Sequence, residues 1–267
     1  MKEKTIFLKL GGSLITDKTQ AYTSRLDVIT RLADEIQSVL TKLTDSRLVL
    51  GHGSGSFGHI TAKKHGTRQG VSSAVDWHGF TEVGYQAAAL NQVVMGALQR
   101  AKLPALTFPP SGSVITQNGE VNSWNLNPIK KALEAGLIPV VYGDVVFDTQ
   151  LGGTILSTED IFTYLAKELD PQRILLAGID DGVWADYPQC TEIVPRITPE
   201  NWSSLAPSIR GSAATDVTGG MATKVRQMIN LIHEIPSLEV IIFNGEQPGN
   251  IGAVLSGKSL GTQLYQP

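Results

Sequence analysis

One cysteine, Cys190, occurs in 267 residues. A disulfide framework within the chain is thereby excluded, and a cysteine zinc site has no ligands to draw on. Long apolar runs are also missing: none approaches the roughly 18 residues of a membrane span. The opening stretch turns apolar only at Ile6 to Leu8, too short for the core of a signal peptide. Excess charge of one sign is absent too. The formal net charge is -3, so no general affinity for nucleic acid or anionic membrane is expected. Any lysines that gather at one place are therefore a local device. Low-complexity runs, linkers and internal repeats are lacking as well. The Asn201-Trp202-Ser203 triplet reads as a chance glycosylation match in a cytoplasmic chain.

What is present is an alternation of short apolar runs with amphipathic stretches. Thr5–Leu10, Arg47–Leu50, Leu137–Tyr142, Arg173–Ala177 and Glu239–Phe243 read as buried strands. Leu26, Ile29, Leu32, Ile36, Val39, Leu40 and Leu43 recur at helical spacing. Helices are also expected over Ala74–Ala101, from Pro128 to Gly136, over Glu159–Glu168 and over Thr218–Ile235. Asp144–Leu156 alternates around Gly152-Gly153 and reads as a hairpin. Thr262–Tyr265 reads as an edge strand, and Pro207–Thr218 as a polar loop. Strands alternating with helices predict an α/β fold whose mostly parallel central sheet is covered on both faces.

Three glycine-rich turns adjoin these elements. They are Gly11-Gly12-Ser13 after Lys9, the stretch Gly51–His59, and Gly219-Gly220 ahead of Lys224. Glycine lets backbone N–H groups approach an anion closely, and a helix N-terminus adds a favourable dipole. Three such turns with lysines beside two of them point to a polyphosphate path.

Two matches compete. Gly53-Ser54-Gly55-Ser56-Phe57-Gly58 fits the dinucleotide fingerprint, which makes a dehydrogenase the rival class. That motif should lead through a helix to a second strand, whereas Lys63–Ser73 is polar and carries none. Gly252–Ser259 matches a P-loop letter for letter, but only Leu260–Pro267 follow, and a P-loop must open a helix. The match is read as accidental.

The strings KLGGSLITDK (Lys9–Lys18), GSGSFGH (Gly53–His59), YGDVVFD (Tyr142–Asp148) and DVTGGMATK (Asp216–Lys224), in that order, resemble the amino acid kinase superfamily. Within it the chain is similar to the isopentenyl phosphate kinases, with fosfomycin kinases as near relatives. The resemblance implies an open α/β/α sandwich over residues 1–267 as one domain, with the acceptor in the N-terminal half and ATP in the C-terminal half. It implies ATP and Mg²⁺ as cofactors, a small-molecule phosphate as partner, a homodimer, and a cytoplasmic location. No nucleic acid, membrane or protein-held metal is expected.

By the same resemblance, Lys9 would bridge the transferring phosphate and Lys18 would stabilise the transition state. His59 would donate a hydrogen bond to the acceptor phosphate, beside Ser54 and Gly55. Gly11, Gly12, Ser13, Asp180, Gly182, Gly220 and Lys224 would contact the nucleotide. An acid after the hairpin would orient Lys9 and Lys224; Asp160 is preferred over Glu159. For the acceptor's apolar part, Tyr85 and Gln86 on the long helix are chosen, with Gly152 nearby. The alternative for each lysine is a solvated surface position, and for His59 a capping role. Ser54 stands where many relatives carry glycine, Ile60 where proline is frequent, and Ser157-Thr158-Glu159-Asp160 where serine-glycine-aspartate is usual. Transfer between phosphates brings many negative charges together, so catalysis there is mainly positioning and neutralisation.

Overall fold

The computed structural model describes residues 4–43, 46–209 and 220–267. The first half contains β1 (Lys4–Leu10), α1 (Gly12–Ile15), α2 (Leu26–Leu40), β2 (Ser46–His52), α3 (Gly55–His65), α4 (Ala74–Arg100), β3 (Ala105–Thr107), β4 (Val114–Gln117), β5 (Glu120–Trp124) and α5 (Asn127–Glu134). The remainder contains β6 (Ile138–Tyr142), β7 (Asp144–Asp148), β8 (Gly152–Leu156), α6 (Thr158–Leu169), β9 (Arg173–Gly178), β10 (Arg196–Ile197), α7 (Pro199–Leu205), α8 (Gly220–Glu234), β11 (Glu239–Asn244), α9 (Asn250–Leu255) and β12 (Thr262–Leu264).

Eight strands form one sheet in the order β10-β12-β11-β9-β1-β2-β6-β3. Every pairing in it is parallel except β11 with β12. Side chains alternate across a strand, so β1 serves both faces. Phe7 enters a core built with α5, α6 and α8, while Ile6, Leu8 and Leu10 enter a second core with α2, α4 and α9. This double coverage is why the parallel strands read as unbroken apolar runs.

Chain order diverges at the centre. From β1 the chain moves outward to β2, β6 and β3; its later part returns through β9 and moves the other way to β11 and β12. The gap between β1 and β9 is thus a topological switch point, where ligands of open parallel sheets gather at the carboxyl ends of the strands. Gly11 and Gly178 stand at those ends, and the Gly11 N–H donates to Ala177 O at 2.8 Å.

Several sequence expectations change. The turn predicted over Gly51–His59 is confined to Gly53 and Ser54, because β2 runs through His52 and α3 begins at Gly55. β12 is not at the edge: it lies between β11 and the two-residue β10. A second sheet, β5-β4-β7-β8, extends the expected hairpin by the β4–β5 pair, which was not foreseen. The fingerprint at Gly53–Gly58 leads from α3 into α4 rather than to a strand, against the dinucleotide reading. Gly252 lies inside α9, and β12 rather than a helix follows Lys258, so the P-loop match has no P-loop geometry. Of the predicted loop at Pro207–Thr218, Ile209 is buried in the first core, and residues from 210 lie outside the described residues. So do Thr218 and Gly219 of the third glycine turn.

Candidate active site

The first two glycine turns meet because β1 and β2 pair in register, Lys9 opposite Gly51 and Leu10 opposite His52. The Gly53 N–H donates to Leu10 O at 3.0 Å. Gly12 and Gly55 touch backbone to backbone: a Cβ on Gly12 would lie 2.5 Å from the Gly55 nitrogen. Gly55 also has φ of +48°, a left-handed conformation that favours glycine. The two turns therefore form one glycine surface, tied by Thr16, whose Oγ1 donates to Gly12 O and accepts from the Ser56 N–H.

A cavity of about 730 Å³ opens over this surface, within the usual range of small-molecule sites. Its lining includes Lys9, Gly11, Gly12, Ser13, Lys18, Ser54, His59, Asp180 and Lys224 from the predicted set. The structure thus brings together residues spread from β1 to α8. His59 is half-buried and Lys18 exposed.

On the cavity lining Lys9 Nζ forms an ion pair with Glu159 Oε1, and Lys224 Nζ lies 3.7 Å from the same oxygen. Lys9 and Glu159 are only 8% and 7% exposed. Burial by itself would raise the Glu159 carboxyl; the ammoniums of Lys9 and Lys224 outweigh it and hold it down at about 2. Glu159 is also in the first turn of α6, where the helix dipole favours an anion. One carboxylate thus fixes two cations from opposite halves of the chain.

This corrects the choice of Asp160. Asp160 is the third residue of α6 and closes its capping box: Oδ2 accepts from the Ser157 N–H at 2.9 Å and Ser157 Oγ at 2.7 Å. Its other oxygen accepts from Gln227 Nε2 at 3.0 Å. A capping box directs the third residue back over the N-cap, leaving the second to face the cavity.

Four more expectations are corrected. Tyr85 is 71% exposed and lies outside the cavity lining, as does Gln86. The residues of α4 that line the cavity are Val83 and Ala87, one helical turn apart. Gly152 meets Val71, whose carbonyl oxygen would be 2.2 Å from a Cβ there, and takes no part in the lining. Gly182 is packed on Thr262, away from the cavity. Gly55 and Gly220 support the site without lining it; Gly220 starts α8, on which Met221 and Lys224 do line it.

Sequence reasoning missed Val83, Ala87, Ile155, Arg68 and Asp144, all on the lining. The first three are an apolar patch that period alone cannot separate from core. Asp144 is buried; burial pushes its carboxyl up against the N–H donors of Ser111 and Val145. Its signal was a carboxylate at the start of an otherwise apolar strand. His52 is core: it is fully buried, stacks on Tyr142 at 5.3 Å, and burial lowers its pKa, keeping it neutral.

The sequence profile of the amino acid kinase family matches residues 4–244, and the chain belongs to that family. Within it, the chain is 34% identical to the isopentenyl phosphate kinase of Methanocaldococcus jannaschii, over 96% of this chain and 97% of that protein. It is 32% identical to the isopentenyl phosphate kinase of Methanothermobacter thermautotrophicus, over 97% and 98%. A solved isopentenyl phosphate kinase structure superposes with a TM-score of 0.81 at 29% identity, covering 97% of this chain and 99% of the other.

Proposed function

We propose that the chain transfers the γ-phosphoryl group of ATP to isopentenyl phosphate, giving isopentenyl diphosphate and ADP. The observation that carries this is the Lys9–Glu159–Lys224 arrangement in a cavity that is lined by two unlike sets of residues. One set is the glycine surface with Lys18 and His59. The other is the small apolar wall of Ala62, Val83, Ala87 and Ile155. A short branched hydrocarbon bearing a phosphate matches that pairing, and the names of the full-length relatives agree with it.

The chemistry needs little from a base. An oxygen of the acceptor phosphate, already anionic, attacks the γ-phosphorus. The bond from that phosphorus to the β,γ-bridging oxygen breaks, and the electron pair leaves with ADP. Lys9 and Lys224 neutralise charge on the moving group, held there by Glu159. Lys18, exposed on the cavity lining, adds a third cation. His59 donates to the acceptor phosphate and aligns it. Positioning and charge neutralisation account for most of such catalysis.

In this reading residues 1–267 act as one domain, the N-terminal half holding the acceptor and the C-terminal half ATP. Among the described residues, no cluster of three or more His, Cys, Asp or Glu would hold a metal ion. Glu159 is engaged by two lysines. Mg²⁺ therefore fits as the ion the nucleotide carries, the usual mode when phosphates supply most of its ligands; bound, it would add neutralisation at the phosphates. Among the described residues no helix is long and apolar enough to cross a membrane; a cytoplasmic location belongs to the same proposal. A homodimer is the expected assembly, which light scattering of the purified chain would test.

The deciding assay follows ADP release with ATP and isopentenyl phosphate, dimethylallyl phosphate, geranyl phosphate or fosfomycin as acceptor. Preference for isopentenyl phosphate is expected. Preference for fosfomycin would move the chain to a phosphonate kinase, and no turnover with any of them would overturn the reading.

A further inference from the structure

The geometry points to Arg68 as a further substrate-binding residue, one that takes the acceptor's phosphate. This rests on the reading above that the acceptor is a phosphate. Arg68 lies in the Thr67–Gln69 turn that follows α3, the helix carrying His59, and it lines the cavity. Its backbone is fixed, since Arg68 O accepts from Thr154 Oγ1 of β8 at 3.0 Å.

The side chain is held but not saturated. Nη2 is 3.5 Å from Asp160 Oδ2, longer than a good hydrogen bond. That oxygen already accepts two shorter bonds from Ser157. Nη1 is buried and has no hydrogen-bond partner among the described residues. A buried guanidinium nitrogen without an acceptor is costly, and such groups usually mark a missing partner. The side chain as a whole is 37% exposed, so a turn of the guanidinium can bring it to a dianionic phosphate in the cavity, which is rich in acceptors and matches the planar fork.

Position selects the acceptor rather than the nucleotide. Asp160, against which Arg68 leans, directly follows Glu159, which holds Lys9 and Lys224. Arg68 lines the same cavity as Lys9 and His59, and it follows the helix that carries His59. The arginine would then serve two ends: it would neutralise the acceptor, and it would favour a phosphate over an uncharged alcohol.

The test compares the wild type with Arg68→Ala and Arg68→Lys. Binding of n-butyl phosphate, of inorganic phosphate and of ATP is measured by calorimetry, and steady-state kinetics are run with isopentenyl phosphate. In Arg68→Ala, Kd for butyl phosphate and KM for isopentenyl phosphate should each rise on the order of tenfold or more. ATP affinity should stay within about twofold, as expected for a residue outside the nucleotide half. Arg68→Lys keeps the charge without the fork and should fall between. Unchanged acceptor binding with weakened ATP binding would overturn the assignment. So would a lowered Tm with both affinities intact, since Arg68 would then be only a structural tie to Asp160. If Arg68→Ala does not fold, the Arg68→Lys titration decides: butyl phosphate binding equal to wild type rejects the proposal. If the wild type turns over no isopentenyl phosphate, the proposed activity falls by itself, and the butyl phosphate and inorganic phosphate titrations still judge Arg68.

Discussion

Replacing Glu159 by Gln removes one negative charge from between two ammoniums and leaves the shape nearly unchanged. Lys9 is almost fully buried and would lose the carboxylate it shares with Lys224. Two routes give the magnitude. Depression of the Glu159 carboxyl from 4.5 to about 2 corresponds by linkage to roughly 3 kcal/mol of stability at neutral pH. Removing one partner of a buried ion pair costs about 3–5 kcal/mol. The lower figure is apt because Lys224 keeps some contact with solvent. For a chain of this size, about 3 kcal/mol lowers Tm by roughly 6–12 °C. The folded pKa is the lower one, so this stabilisation is complete above about pH 5 and fades as pH falls toward 2. Chemical denaturation of both proteins from pH 7 to pH 3 should show their gap closing on the acid side. Asp144 and Asp148 are common to both and cancel in the difference. Nucleotide phosphates would replace the lost anion, so ATP with Mg²⁺ should raise the Tm of Glu159→Gln more than that of the wild type. Equal stability at pH 7, or a gap that widens in acid, would refute the reasoning.

Lys9→Ala and Lys224→Ala should each lower kcat about a hundredfold, the effect of losing one preorganised charge stabiliser in a dry site; rapid-quench ADP formation measures it. His59→Ala should raise KM for the acceptor or lower kcat while ATP affinity holds, and His59→Gln should recover part of the loss through its amide donor. Val83→Ala should raise geranyl phosphate turnover relative to isopentenyl phosphate, whereas Tyr85→Ala, altering an exposed ring, should leave that ratio unchanged. Asp148→Ala should cost about 2 kcal/mol with little change in kcat, because its carboxylate accepts from the N–H groups of Asn118, Gly119, Gln150 and Leu151 at the hairpin end; urea melts test it.

Most strands were legible because a strand buried on both faces is an unbroken apolar run, and β1, β6, β9 and β11 have that form. The β4–β5 pair was not, because Val114–Gln117 alternates over only four residues and Glu120–Trp124 has a single buried position. The glycine turns were visible as composition, and their meeting follows from β1 pairing with β2. The apolar wall was harder. Val83, Ala87 and the exposed Tyr85 are all apolar or aromatic residues on one helix, and their sorting depends on which face of α4 meets the small sheet. The Glu159–Asp160 choice turned on a local rule that the sequence did contain. Ser157 followed three residues later by Asp160 is a capping box, and it commits Asp160 to the helix end.

The two departures around His59 can be argued from the same local geometry. Ser54 stands between two glycines of the second turn, and its side chain needs room. It finds that room over Gly58: a Cβ on Gly58 would lie 2.2 Å from Ser54 Oγ and 2.5 Å from Ser54 Cβ. The serine is therefore accommodated by Gly58, the last glycine of the same motif, and the glycine surface toward Gly12 is left intact. Ile60 directly follows His59. It sits in the interior of α3, where a proline would have no N–H to bond to the carbonyl of Ser56 and its ring would collide with that carbonyl. With isoleucine the helix runs unbroken from Gly55 to His65, and the side chain is 41% exposed, so no core volume is disturbed. An unbroken α3 fixes His59 on the same rigid rod that ends at Gly66, immediately before Thr67 and Arg68. Ser54→Gly should then be nearly silent in Tm, whereas Gly58→Ala should be damaging in the wild type and milder when Ser54→Gly is present. A double-mutant cycle in Tm would measure that coupling, and additive effects would show that the two positions do not share the space.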